Sequence, residues 1–212
     1  METDYKKLIS ESTAPFFTRK NLELLLGDNR RTTDYRITSL RRMGMLDTIK
    51  PGIYLNKTLY QKTSEPEEMA RYIGGEMVRD SYISLEYALA LYGILAESVY
   101  TITYITTKKT RKFQSPLMSF RYRNIKSGLF WGYTKKFFGT LTYQMASPAK
   151  ALFDLIYLTP LESGRVAREF LFDSRFNWGV FTPKDMQEFK EIVTKSRSKK
   201  MRNVLQYLYE RH

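Results

Sequence analysis

What most narrows the fold of this chain is the run of helix, turn and hairpin signals in its first sixty residues. Tyr5 to Ser10 reads as a short helix. Pro15-Phe16-Phe17 leads to Thr18, whose hydroxyl can cap the backbone N–H groups of a following helix. Leu22, Leu25 and Leu26 then recur at helical spacing until Gly27. Gly27-Asp28-Asn29-Arg30-Arg31 supplies a short turn. A further helix is expected from Thr32 or Thr33 up to Gly44, with Thr33, Ile37 and Leu40 on its apolar side. Met45 to Ile49 and Ile53 to Leu55 flank Lys50-Pro51-Gly52. Proline presets φ at the first corner of a tight turn and glycine accepts positive φ at the second, so two short strands should form a hairpin here. Helix, helix, short turn, helix and hairpin is the order of a winged helix-turn-helix.

The boundary of that unit is expected between Asn56 and Pro66, giving a DNA-binding domain over residues 1–60 and a second domain over 61–212. Glu65-Pro66-Glu67-Glu68 reads as a solvated linker and Gly74-Gly75 as a turn. Ser84 is placed to cap a helix from Leu85 to Leu91, closed by Gly93. Strands are expected at Tyr100 to Thr106, Ser119 to Ile125, Leu129 to Tyr133 and Thr140 to Met145, from their β-branched and aromatic content. Ser147-Pro148 supplies a cap and a first-turn proline for an apolar helix from Ala149 to Leu158, and Thr182-Pro183-Lys184-Asp185 opens another. The fold class is therefore α+β: a winged helix, then a mixed domain with a mainly antiparallel sheet and C-terminal helices.

Charge points to the partner. Lys and Arg number 35 against 22 acids, a net +13, which favours a polyanion. The excess is uneven. From Ser98 to Phe153 there is no acid, yet Lys108, Lys109, Arg111, Lys112, Arg121, Arg123, Lys126, Lys135, Lys136 and Lys150 are there, interleaved with aromatics. In the first domain, a helical wheel sets Arg31, Tyr35, Thr38, Ser39 and Arg42 opposite Ile37 and Leu40. A helix fits the major groove, where Arg can pair bidentately with guanine and hydroxyls can meet base edges or phosphates. Arg36 and Arg41 lie on the flanks, suited to phosphates, and Lys50 at the hairpin tip and Lys57 beyond it could reach the neighbouring backbone.

Along Ser119 to Ile125, Arg121 and Arg123 share one strand face while Phe120 and Tyr122 share the other. With Lys108, Lys109 and Arg111 they form a candidate extension of the DNA surface. An acidic protein, RNA or a plain solvated face are the alternatives for it.

Three segments also resemble the AbiEi antitoxin family: Gly74 to Leu95, with Ser81-Tyr82-Ile83-Ser84-Leu85-Glu86-Tyr87-Ala88-Leu89 at its heart; Tyr100 to Thr107; and Ala146-Ser147-Pro148-Ala149-Lys150-Ala151-Leu152-Phe153-Asp154-Leu155-Ile156-Tyr157. The resemblance implies a transcriptional autorepressor whose winged helix binds inverted repeats in its own promoter. It also implies a second domain that antagonises a nucleotidyltransferase-like toxin, in a type IV system where the two proteins need not form a stable complex. The competing readings are a stand-alone regulator without a toxin and a basic RNA- or protein-interaction module.

Enzymatic chemistry finds little support. There is no cysteine, and the one histidine is His212, the last residue, so thiolate metal sites, disulfides and histidine-dependent triads are excluded. Asp185, Glu188 and Lys190 echo a nuclease pattern but fall within one expected helix. Asp154, inside an apolar helix, should hold a hydrogen bond or ion pair. No cofactor or metal is expected, no stretch is long and apolar enough for a membrane span, and a cytoplasmic protein is expected.

Overall fold

The computed structural model describes residues 4–173 and 175–210. Met1 to Thr3 and the lone His212 lie outside the described residues. The chain is an α+β protein that divides into two compact units, Met1–Ile73 with Phe113–Ser119, and Gly74–Lys112 with Phe120–His212. No helix among the described residues is long and apolar enough to cross a membrane.

The first unit opens with α1 (Tyr5–Glu11), capped by the Asp4 carboxylate, and β1 (Phe16–Thr18). Thr18 then caps α2 (Arg19–Leu26) in a reciprocal box with Asn21. Next comes α3 (Arg30–Arg42), whose cap is Asn29: its side chain accepts from the Thr32 N–H, so the helix begins two or three residues before the expected start. The hairpin follows as β2 (Leu46–Lys50) and β3 (Ile53–Asn56), with Gly52 at φ +81°, the left-handed position a Pro-Gly corner requires. The strands pair antiparallel in the order β1-β3-β2, with Phe17 opposite Tyr54. Ile9, Phe17, Leu22, Leu26, Ile37, Leu40, Leu46 and Tyr54 form the core beneath them. Leu25 is 39% exposed, so α2 contributes Leu22 and Leu26 alone to the buried side.

The expected linker is structured. Asn56 is buried; its amide donates to the Ser12 and Ala14 carbonyls while its oxygen caps α4 (Lys57–Lys62). α5 (Pro66–Met77) starts on Pro66, and Glu67 and Glu68 pair with the nearly buried Arg71 instead of facing solvent alone. Gly74 and Gly75 lie inside α5, not in a turn. A Cβ at Gly74 would overlap the Tyr104 side chain, which is why glycine stands there.

The second unit contains β4 (Ser81–Ile83), α6 (Leu85–Leu91) and β5 (Ile102–Thr106). A lateral pair follows on either side: β6 (Arg111–Gln114) with β7 (Ser119–Asn124), and β8 (Tyr133–Phe138) with β9 (Leu141–Ala146). The helices α7 (Pro148–Leu158), α8 (Gly164–Leu171), α9 (Pro183–Ser196) and α10 (Lys199–Tyr209) complete it. The sheet order is β6-β7-β5-β4-β9-β8. This sheet is mixed: β4–β5 and β8–β9 are antiparallel, and β5–β7 and β4–β9 are parallel. Each lateral pair lays down its outer strand first, so its second strand reaches the central pair running parallel to its neighbour. The strand expected from Leu129 to Tyr133 is instead a short 3-10 helix, Ser127–Leu129, with β8 starting at Tyr133. The caps on α7 and α9 are present: Ser147 accepts from the Lys150 N–H, and Thr182 and Asp185 close a reciprocal box.

Candidate nucleic-acid interface

Thr33, Ile37 and Leu40 turn α3 inward, which fixes what it shows outward. Arg31, Tyr35, Thr38 and Arg42 occur at i, i+4, i+7 and i+11. At 100° per residue they fall within about 60° of arc and span roughly 16 Å along the axis. All four are exposed, and Tyr35, at 74%, is an aromatic ring held out among cations. Arg41 is exposed on the flank.

Of the remaining expected residues of this unit, Arg36, Ser39 and Lys50 make contacts within it. Arg36 pairs with Asp28 at 3.1 Å and lies over the Tyr5 ring, 5.1 Å from its centroid. The Ser39 hydroxyl sits 3.3 Å from the Tyr5 hydroxyl, so α1 rather than solvent meets this side of α3. The Thr38 hydroxyl donates back to the Asp34 carbonyl at 2.9 Å, leaving its oxygen able to accept and its methyl outward. Lys50 is half-buried, its ammonium 4.6 Å above the Phe113 ring, and Lys57 is the half-buried first residue of α4.

Arg30 was not singled out from the sequence, because the helix was expected to start later. It is exposed at the first position of α3, beside Arg31. The signal was Asn29, among the best capping residues, three places before Thr32. Two guanidinium groups and no acid in a first turn oppose the helix dipole, which favours negative charge there. That arrangement suits an anionic ligand rather than the helix itself. Asp34 and Asp28 are occupied by Arg19 and Arg36, and among the described residues no acid pairs with Arg30, Arg31, Arg41 or Arg42.

The basic stretch of the second unit is sorted by burial. Phe120 and Tyr122 are fully buried and Arg121 is exposed, as the strand alternation requires. Arg123 is half-buried and donates to the Leu158 carbonyl at 3.3 Å; with Lys200, which reaches the Tyr157 and Thr159 carbonyls, it stabilises the C-terminal end of α7. Burial pulls the Lys200 ammonium below its usual value. Lys108 is held by Asp80 at 3.0 Å and by the Arg79 carbonyl at 2.6 Å. Lys109 and Arg111 are exposed, the Arg111 Nε donating to the Lys109 carbonyl.

Lys150 leaves the surface set altogether. It is completely buried, 2.5 Å from Asp154, and lies within 5.0–5.7 Å of the Tyr82, Trp131 and Phe153 ring centroids. Tyr82 and Ser84 donate to the other Asp154 oxygen at 2.9 and 2.8 Å, so the Ser84 hydroxyl serves Asp154 and not the α6 terminus. Burial pushes the Asp154 carboxyl up and the Lys150 ammonium down, against their mutual attraction and the hydroxyl donors. With no solvent access, the pair joins β4 to α7 rather than acting on a ligand.

No family model and no curated protein matches the chain. Among the described residues no three His, Cys, Asp or Glu side chains lie together as a metal site. Glu188 of the nuclease-like pattern accepts from the Ser147 hydroxyl at 2.5 Å, and Asp185 is committed to the α9 cap.

Proposed function

We propose that the first unit is a winged helix-turn-helix, with the β2–β3 hairpin as its wing, that inserts α3 into the major groove of double-stranded DNA. The protein then acts as a sequence-specific transcriptional repressor. One observation carries this reading: Arg31, Tyr35, Thr38 and Arg42 form a single exposed stripe opposite the buried Thr33, Ile37 and Leu40. Arg31 and Arg42 are the candidates for bidentate contacts with guanine, while Tyr35 and the Thr38 methyl suit thymine methyl groups and sugar edges. Arg30 and Arg41 flank them as phosphate contacts, and the exposed Lys109, Arg111 and Arg121 of the second unit add further phosphate binding. The resemblance of residues 74–95 and 146–157 to AbiEi antitoxins supports autorepression of an operon that also encodes a nucleotidyltransferase-like toxin, which the second unit antagonises.

Fluorescence anisotropy of the full-length protein on labelled upstream DNA tests the reading. Tight binding to that duplex over scrambled duplex and over RNA of equal length is expected. With about six phosphate contacts, log affinity should fall against log salt with a slope near −5. Arg42→Ala should cost roughly 1–3 kcal/mol on the specific duplex and little on scrambled DNA. Equal affinity for RNA, or no preference among duplexes, refutes it.

A further inference from the structure

We propose that the second unit carries a binding site for a small zwitterion, an α-amino acid with a planar side chain, in the cleft where β4 and β9 part. The two strands share one registered position, Ile83 opposite Met145. Before Ile83 the sheet opens, and Gly75, Glu76, Arg79, Ser81, Tyr133 and Gln144 are among the residues lining a cleft of about 440 Å³. That is within the range of about 300–1,000 Å³ typical of small-molecule sites.

One wall is aromatic and braced from behind. Phe130 and Tyr133 lie 5.4 Å apart, and Tyr133 stacks at 4.6 Å on Tyr82, whose hydroxyl is fixed to Asp154. The facing polar groups are set by a second brace. Lys108 donates to both the Asp80 carboxylate and the Arg79 carbonyl, holding Asp80 at φ +60°, a conformation that side chains other than glycine seldom adopt. The Ser81 hydroxyl donates to the Val78 carbonyl, which leaves its oxygen able only to accept.

Lys108 thereby cancels Asp80, and two opposite charges remain at the cleft: the Arg79 guanidinium and the Glu76 carboxylate. Neither forms an ion pair among the described residues. The complement is a ligand of zero net charge with its own separated ends. Its carboxylate meets the Arg79 fork, its ammonium meets Glu76, and its planar group lies on Phe130 and Tyr133. A nucleoside phosphate would bring two negative charges to one guanidinium and set them beside Glu76. The site is independent of whether the first unit binds DNA.

Isothermal titration calorimetry of the full-length protein with phenylalanine, tyrosine and tryptophan tests it, with phenylalaninamide, N-acetylphenylalanine and AMP for comparison. Saturable binding of at least one free amino acid is expected. Blocking either end of the ligand, or the variants Arg79→Ala at an exposed site and Glu76→Gln at a half-buried one, should each weaken it about tenfold or more. No saturable binding at millimolar ligand, equal binding of the blocked forms, preference for AMP, or indifference to both substitutions overturns the proposal. The blocked ligands test it on unaltered protein, so the result does not depend on how the variants fold.

Discussion

Replacing Gly74 by alanine separates two effects that usually travel together. In a helix interior the change is normally favourable, by about 1 kcal/mol of backbone propensity. At this position the new Cβ would overlap the Tyr104 hydroxyl and lie 2.7 and 2.8 Å from the ring carbons Cζ and Cε2. Tyr104 cannot swing aside: it is fully buried and stacked on Tyr122 at 4.9 Å. Tyr122 in turn donates to the Gly74 carbonyl at 2.6 Å, so a shift of α5 that relieves the clash breaks that bond. Overpacking of this kind costs about 1–3 kcal/mol and the hydrogen bond about 1 kcal/mol more. After the propensity gain, Gly74→Ala should destabilise by about 1–3 kcal/mol, a fall of roughly 4–8 °C in Tm at the middle of that range. Gly75→Ala is the internal control. Its Cβ would meet the Tyr143 Cβ at 3.7 Å, an ordinary contact, so it should be neutral or stabilising by up to about 1 kcal/mol. Thermal unfolding followed by circular dichroism reads both. Two neighbouring glycines giving opposite signs supports the packing argument; Gly74→Ala melting with the wild type, or Gly75→Ala falling equally far, refutes it.

Asp154→Ala should cost about 3–5 kcal/mol in urea denaturation, because Lys150 is left buried without its partner, whereas Lys150→Met with Asp154→Leu should recover only part of that loss, since the buried Tyr82 and Ser84 hydroxyls still lack their acceptor. If the double variant is no more stable than the single, the pair is not the source of the cost. Asn29→Ala removes the cap on the Thr32 N–H and should cost about 1 kcal/mol, with Asn29→Ser near neutral by the same assay. Lys109→Glu with Arg121→Glu should lower the magnitude of the salt slope by about 2 if both touch phosphate; an unchanged slope removes the second unit from the DNA footprint.

The features legible in the sequence were those fixed by neighbours along the chain. Thr18, Ser147-Pro148 and Thr182 through Asp185 each cap a helix within three residues, and Pro51-Gly52 sets its own corner. The inward side of α3 followed from spacing alone. The features missed depend on partners far away. β1 is three residues long and exists because β3, more than thirty residues later, pairs with it. Gly74 reads as a turn until Tyr104 is seen against it. Lys150 counts as surface charge in any tally of the sequence, and only Asp154 one turn on, with four aromatic or hydroxyl-bearing neighbours, accounts for its burial. Strand direction was also hidden, since residue composition carries no sign of it.

The outer-strand-first order of the six-stranded sheet bears on how the protein emerges from the ribosome. β4 and β5 can pair as soon as both are out, but each flank then shows an open row of backbone donors and acceptors. β7 shields one flank after Asn124 and β9 the other only at Ala146. Asp154, which Tyr82 and Ser84 require as an acceptor, follows within a few residues. A nascent chain halted before that point keeps the β4 flank open and lacks its central anion, so sheet closure and charge neutralisation come together late in synthesis.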